Sequence, residues 1–174
     1  MNSAVFLPDA LSTKMFSDLW AQLDPSENGW TLSNRSNKGV GKLSWTRKAY
    51  DKHTMDSVVE AVNDKVNSIV GLDLSYERCN VNGQTSGQVS EFHVDYDVPG
   101  YYTAVLFCCP YWNTQWGGSF TAYNPHTSKY EIFAYLPNSM VIIPGEWDHY
   151  GESPNHCTDN MRITVAFMFK SEDK

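Results

Sequence analysis

Residues 91–97 read EFHVDYD, with a histidine and an aspartate two positions apart in a run that is typical of a β-strand. Similar short runs, rich in Val, Ile, Thr, Tyr and Phe and separated by Gly, Pro and Asn, fill the chain after Gly71. The pattern predicts strands near residues 75–81, 88–94, 102–109, 118–123, 130–135, 139–143 and 161–169. Strands in this number, with no long helix between them, predict a β-sandwich or barrel.

Two segments before Gly71 have the apolar spacing of amphipathic helices, DALSTKMFSDLWAQLD (9–24) and TMDSVVEAVNDKVNSIVG (54–71). Thr54 is the expected N-cap of the second helix and Gly71 its end. Between the helices lie a polar, Gly-containing loop at 34–42, a candidate lid, and the strand-like LSWTRKAY (43–50).

This order of elements predicts one α+β, β-rich domain over residues 1–174. Helical support over about residues 9–71 is expected to pack on one outer face of the sheet, and the β-rich core is expected over about residues 75–170. The sequence leaves the oligomeric state open.

Composition and charge narrow the class of protein. The chain has 174 residues, 41% of them hydrophobic, and a formal net charge of −7 without a dense Lys/Arg cluster, which disfavours nucleic acid as a partner. No apolar run is long enough to cross a bilayer, and the N-terminus lacks the pattern of a signal peptide. The four cysteines form no Cys-x-x-Cys pair, so we expect reduced thiols in a cytoplasmic protein.

His93 and Asp95 would point to the same face of a strand, where an imidazole and a carboxylate can share one divalent ion. The alternative is that both are polar residues on a solvated strand edge. A metal would need a third ligand from elsewhere in the chain. His149 is the best candidate, because it follows a buried-looking strand and a Pro-Gly turn, whereas His126 and His156 lie in polar loops.

Arg162 begins the otherwise apolar strand MRITVAFMFK (161–170), and Thr164 would lie on the same face. Arg162 could simply cap the sheet edge in solvent. The functional alternative is that its guanidinium binds a carboxylate through two parallel hydrogen bonds, with the Thr164 hydroxyl as a second donor. Two histidines and one carboxylate with open positions form the facial triad of non-haem Fe(II) oxygenases.

The order His-x-Asp, His, Arg-x-Thr resembles the 2-oxoglutarate/Fe(II)-dependent dioxygenase superfamily, and within it the prolyl-4-hydroxylase-like branch. The similarity is carried by three segments: CNVNGQTSGQVSEFHVD (79–95), YTAVLFCCPYWNTQWGGSFTAYN (102–124) and LPNSMVIIPGEWDHYGESPNHCTDNMRITVAF (136–167). The resemblance implies a double-stranded β-helix, or jelly roll, in which the Gly117-Gly118 pair marks a tight crossing of the backbone.

The resemblance also implies roles for individual residues. The iron ligands would be His93, Asp95 and His149. Arg162 would pair with the C5 carboxylate of 2-oxoglutarate, with Thr164 as a further contact. Many relatives have a tyrosine near the positions of Ser86 or Phe107 that assists co-substrate binding, and Tyr102 is a candidate substitute for it.

The implied activity is that of an oxidoreductase, a dioxygenase that hydroxylates a C–H bond and uses Fe(II), 2-oxoglutarate as co-substrate and O2; ascorbate is a further candidate cofactor. The expected substrate is a proline-containing peptide or protein, and a group of aromatic residues could line a groove for it: Tyr96, Tyr101, Tyr102, Tyr111, Trp112 and Trp116. Two alternatives stay open, a hydroxylase of a free amino acid or other small molecule, and a metal-free jelly-roll binding module.

Overall fold

The computed structural model describes residues 1–34, 43–48, 51–88 and 90–172. These residues form two α-helices, α1 (Thr13–Leu23) and α2 (Lys52–Val70), and a short 3-10 helix at Thr114–Trp116. The ten strands within the same residues are β1 (Val5–Leu7), β2 (Trp30–Asn34), β3 (Leu43–Arg47), β4 (Leu74–Gln84), β5 (Tyr101–Phe107), β6 (Phe120–Asn124), β7 (Lys129–Phe133), β8 (Met140–Pro144), β9 (His149–Gly151) and β10 (Arg162–Ser171).

Side-chain capping and a left-handed glycine set the limits of α2. The carboxylate of Asp51 accepts a hydrogen bond of 2.8 Å from the Thr54 amide, so Asp51 is the N-cap and the prediction of Thr54 was wrong. The helix ends at Gly71, as predicted, with φ at +72° and its amide donating to the carbonyl of Asn67. Helix α1 lies within its predicted segment, whereas α2 begins at Lys52, two residues before its predicted segment.

The strands form two antiparallel sheets. The larger sheet has the order β1-β8-β5-β10-β4-β3-β2, and the smaller one the order β7-β6-β9. Helix α2 packs on β4 and on α1, so both helices lie at the larger sheet. Two facing antiparallel sheets with helices outside them confirm the predicted α+β jelly roll.

The core is centred on β10, the middle strand of the larger sheet. Its side chains from Arg162 to Phe169 are all buried, on both faces of the strand. Ile163, Val165 and Phe167 alternate with Arg162 and Thr164, so one face is apolar and the opposite face carries polar groups. We call the face of the larger sheet that carries Arg162 and Thr164 the inner face.

Several local expectations differ from the structure. Residues 88–94 do not form a strand in their described part; His93 makes only an isolated bridge to His149. Strands β1, β2 and β9 were not predicted, since β1 and β9 have three residues each, too few to show an alternating pattern. The predicted loop at 34–42 lies outside the described residues except for Asn34. Neither described helix is long and apolar enough to span a bilayer.

Candidate metal centre

His93, Asp95 and His149 come together at the edge of the smaller sheet. Each offers one ligand atom, and the three atoms lie within 4.8 Å of one another. The backbones of His93 and His149 hold the two histidines side by side, because each amide donates to the other's carbonyl, at 3.0 and 2.9 Å. A single antiparallel bridge therefore aligns the two histidines, which was the role expected of the predicted strand.

Both imidazoles are oriented through their Nδ1 atoms. His93 Nδ1 lies 3.0 Å from the carbonyl oxygen of Glu91, and His149 Nδ1 lies 2.8 Å from that of Trp147. A hydrogen bond to a carbonyl requires a proton on Nδ1, which leaves the Nε2 lone pair of each ring available for a metal ion.

The carboxylate of Asp95 is oriented by Thr103 on β5. The Thr103 hydroxyl donates a hydrogen bond of 2.7 Å to Asp95 Oδ2, the oxygen that lies 3.6 Å from His149 Nε2. The amide of Asp95 donates to the carbonyl of Gly145, in the turn that leads to β9. Sequence analysis did not single out Thr103, which is fully buried and lies six residues beyond the motif EFHVDYD.

Burial favours the neutral form of His149. Its side chain is 4% exposed, and burial lowers the pKa of its imidazole, while the Asp95 carboxylate partly opposes that shift. A neutral imidazole is the form that binds a metal. His126 and His156 belong to no metal-binding group in the described part of the chain.

Arg162 lies deep between the two sheets, with its side chain 3% exposed. Its Nε donates to the carbonyl of Gly118 at 2.7 Å, and its Nη1 donates to the side-chain oxygen of Gln84 at 2.9 Å. The guanidinium also lies over the rings of Phe107 and Tyr135, 5.8 and 5.4 Å from their centroids. Arg162 is thus a buried residue, and the alternative of a solvated cap at the sheet edge was wrong.

One nitrogen of this buried cation lacks a partner. Arg162 Nη2 forms no hydrogen bond in the described part of the chain. Burial lowers the pKa of the guanidinium, as expected for a charge removed from water without a paired anion. A buried cation with one unpartnered nitrogen suits a carboxylate, which can accept from Nη2 and offset the desolvation of the charge.

Glycines make room for Arg162. A Cβ atom at Gly151 would lie 2.9 Å from Arg162 Nη1, and one at Gly118 would lie 3.2 Å from Arg162 Cδ and 3.1 Å from the Trp112 ring. Gly117 and Gly118 have φ of +73° and +81°, and Gly117 bridges Pro154. The expectation of a tight crossing at this pair is confirmed.

Strand β9 relates Arg162 to the metal ligands. Gly151, which Arg162 contacts, is two residues from His149 on the same strand, a separation of roughly 7 Å along the strand. That separation is comparable to the length of a five-carbon diacid. The residues present therefore fit a divalent ion at the His-Asp-His group and a carboxylate at Arg162, joined by one short molecule.

Thr164 and Tyr102 occupy opposite faces of the larger sheet. Thr164 follows Arg162 by two residues on β10 and shares its face, as predicted. Tyr102 precedes Thr103, whose side chain points to Asp95, so Tyr102 points away from the metal centre. The role of Tyr102 in co-substrate binding stays a prediction, and this orientation does not support it. Asn82, paired with Thr164 in register, is the polar residue beside it.

The similarity of this chain to other proteins is found in its fold. No protein-family model matches the chain, and no curated protein matches it. Among solved structures, a prolyl hydroxylase from Trichoplax adhaerens in complex with a peptide fragment of the hypoxia inducible factor oxygen degradation domain is similar at 16% identity and a TM-score of 0.73, over 99% of this chain and 85% of the other.

Two further structures show the same similarity. An oxidoreductase of the 2OG-Fe(II) oxygenase family from Burkholderia pseudomallei has 13% identity and a TM-score of 0.72, over 96% of this chain and 84% of the other. HygX from Streptomyces hygroscopicus, with nickel, 2-oxoglutarate and hygromycin B bound, has 11% identity and a TM-score of 0.68, over 99% and 84%. The chain therefore has the double-stranded β-helix fold of the 2-oxoglutarate/Fe(II) oxygenase structures.

Proposed function

We propose that this protein is a 2-oxoglutarate- and Fe(II)-dependent dioxygenase that hydroxylates a C–H bond, and that its substrate is a proline-containing peptide or protein, as in the prolyl-4-hydroxylase-like branch. One observation carries the proposal. A His-Asp-His group with ligand atoms within 4.8 Å lies beside a buried arginine that has an unpartnered nitrogen, on the fold of these oxygenases.

Separate groups of residues would bind the metal and the co-substrate. His93, Asp95 and His149 would hold Fe(II) on one side, leaving positions for co-substrate and O2. Bound together, Fe(II) and 2-oxoglutarate supply the oxidation of a C–H bond by O2, with release of succinate and CO2.

Arg162 and Thr164 would fix the C5 carboxylate of the co-substrate. Phe107 and Tyr135, both fully or almost fully buried, keep water from the guanidinium and strengthen this contact. Gln84 and Thr103 would act as positioning residues, Gln84 through Arg162 and Thr103 through Asp95.

A small molecule is the second candidate substrate. The similar HygX structure has hygromycin B bound, and the T. adhaerens structure has a peptide, so this fold accommodates both kinds of molecule. The hypothesis of a peptide substrate is supported here by the inner face of β4, where Arg78 is exposed and Asn80 is half-buried. A face that is open to solvent suits an extended chain better than a closed pocket does.

The test is anaerobic titration of the purified protein with Fe(II) and then 2-oxoglutarate, followed by visible absorption. The chelate of Fe(II) with a 2-oxo acid has a weak charge-transfer band, and we expect that band with saturation at one equivalent. Asp95→Ala should lose it, whereas Asp148→Ala, an exposed carboxylate next to His149 in sequence, should keep it. No band in the unmodified protein, together with no thermal stabilisation by metal and 2-oxoglutarate, would favour a metal-free binding module.

A further inference from the structure

The inner face of β4 carries a row of polar residues from the interior to the surface. Gln84, Asn82, Asn80 and Arg78 alternate along the strand, opposite Arg162, Thr164, Ala166 and Met168 of β10. Exposure rises steadily along the row: Gln84 is buried, Asn82 and Asn80 are half-buried and Arg78 is exposed. The inner face is therefore buried at the end near Arg162 and exposed to solvent at the end near Arg78.

At the open end, two cations lie on a pair of stacked tyrosines. Tyr96 and Tyr101 stack with centroids 3.9 Å apart and planes at 11°. Arg78 lies over Tyr96 at 5.7 Å, and Lys170 lies over Tyr101 at 6.0 Å. We call these four residues the cationic rim. Tyr96 directly follows the metal-ligand candidate Asp95, so the rim borders the metal centre.

Among the described residues, neither cation is neutralised by a carboxylate. No Asp or Glu oxygen of the described residues lies within 4.0 Å of Arg78 or Lys170. Exposed acidic residues lie near the rim in sequence, Asp97 after Tyr96 and Glu146 after Gly145. The surface around the two cations is therefore not basic as a whole. The whole chain has a net charge of −7, which makes two unpaired cations beside the reaction centre a local exception.

The two half-buried asparagines of this row present amide groups on the inner face. Asn80 and Asn82 are two residues apart, roughly 7 Å along the strand, which is also the repeat of same-facing groups in an extended peptide. A side-chain amide presents one donor and one acceptor group, the complement of a peptide unit. Amides along the row and cations at its exposed end thus suit a partner with peptide-like groups and negative charge.

From this arrangement we propose that the cationic rim selects substrates that present a carboxylate next to the position that is oxidised, and that the natural substrate is a proline-containing segment with flanking acidic residues. The inference rests on the proposed function and names the substrate class for that site. Arg78 and Lys170 would bind the flanking carboxylates, while Asn80 and Asn82 would bind the main chain. The shared chemistry is the carboxylate, which a free amino acid could also supply.

The test uses binding without turnover. The protein is loaded anaerobically with Mn(II) and 2-oxoglutarate, and fluorescence anisotropy measures three labelled, blocked peptides that share a central proline flanked by two Asp, two Asn or two Lys residues. We expect the Asp peptide to bind at least about fivefold more tightly than the Lys peptide. The double variant Arg78→Glu/Lys170→Glu should reverse that order.

A matched control separates local from global charge. Lys129→Glu makes the same kind of charge reversal at an exposed residue of β7, in the other sheet, and should keep the preference for the Asp peptide. Competition by L-proline and L-prolinamide forms the small-molecule arm. If L-proline alone competes and the three peptides bind equally, the acidic peptide is ruled out as the substrate, and the carboxylate that the rim binds belongs to a small acid.

Two further results would overturn the role of the rim. One is no preference for a carboxylate either among the peptides or in the competition by L-proline and L-prolinamide. The other is a preference that survives in the double variant. The charge-transfer band of Fe(II) and 2-oxoglutarate distinguishes this failure from failure of the proposed function. Neither rim cation is a metal-ligand candidate, so that band should be unchanged in Arg78→Glu/Lys170→Glu. A band with no rim selectivity would refute the rim alone, and a missing band in the unmodified protein would refute the oxygenase itself.

Discussion

Two arginines on the inner face of the larger sheet lie at its buried end and at its exposed end. Arg162 is 3% exposed, held by Gly118 and Gln84, and stacked on two aromatic rings. Arg78 is exposed and lies over the single ring of Tyr96. The Arg162 guanidinium is shielded from water and has one nitrogen without a hydrogen-bond partner in the described residues. The Arg78 guanidinium is hydrated on most sides.

The difference shows how one residue type serves two purposes. A buried cation gains a large amount from the one anion that fits, because few other partners can offset its desolvation. An exposed cation gains little from any single anion, since water and salt compete for it. The deep end therefore suits an invariant co-substrate and the rim suits discrimination among substrates. The predictions that follow test this division, beginning with the largest effect.

Loss of the metal should abolish the function of both ends. In His149→Ala, Fe(II) has only His93 and Asp95 as ligands, so we expect 2-oxoglutarate-dependent O2 consumption to fall by more than about 100-fold. Far-UV circular dichroism should remain that of the folded protein, because β9 retains its backbone pairing with β6. His156→Ala, at an exposed loop histidine, is the matched control. Full activity in His149→Ala would rule out the ligand assignment.

Removal of the deep cation should affect the co-substrate selectively. Arg162→Ala deletes the charge that would hold the C5 carboxylate, and the loss of charge-assisted hydrogen bonds predicts 2-oxoglutarate affinity lower by about 100-fold. Pyruvate keeps the chelating end of the molecule and lacks the distal carboxylate, so its weaker affinity should be unchanged. Equal losses for both 2-oxo acids, measured by the charge-transfer titration, would show that the substitution had damaged the site as a whole.

A smaller change at the same end should displace the guanidinium without removing it. Gly151 does not have a positive φ, so alanine fits its backbone, but the new Cβ would lie 2.9 Å from Arg162 Nη1. We expect Gly151→Ala to weaken 2-oxoglutarate binding by about tenfold. In the Arg162→Ala background the same substitution should have no further effect. An undiminished effect there would mean that Gly151 acts by another route.

The metal centre was largely predictable because its signal is a set of residue types in order. His93 and Asp95 are two positions apart, and His149 follows a buried strand and a turn, so each ligand could be proposed from its neighbours. The expected strand at 88–94 was nevertheless absent from its described part, and one bridge between His93 and His149 aligns the ligands instead. The chemistry of a site constrains residue types more strongly than it constrains the local backbone.

The residues that line the inner face were less predictable than the metal ligands, because their orientation depends on strand register. Tyr102 and Thr103 are neighbours, and only the pairing of β5 with β10 and β8 decides which of them points inward. The same holds for Arg78 and Gln84, whose alternation on β4 is visible in the sequence while their partners on β10 are not. A register shift of one residue would exchange the two faces, and nothing local in the sequence fixes it.

The smallest expected effect is a difference in salt dependence between the two ends. Raising the ionic strength shortens the Debye length from about 10 Å at 0.1 M to about 3 Å at 1 M. Binding of the Asp-flanked peptide at the exposed cations should therefore weaken several-fold over this range, and the preference over the Lys-flanked peptide should shrink. The affinity for 2-oxoglutarate should change much less, because the salt ions cannot approach a guanidinium that is 3% exposed. Parallel titrations of the Mn(II)-loaded protein at both salt concentrations measure the difference. Equal salt dependence at the two ends would mean that Arg162 is hydrated in solution, and the distinction between a buried anchor and an exposed selector would no longer hold.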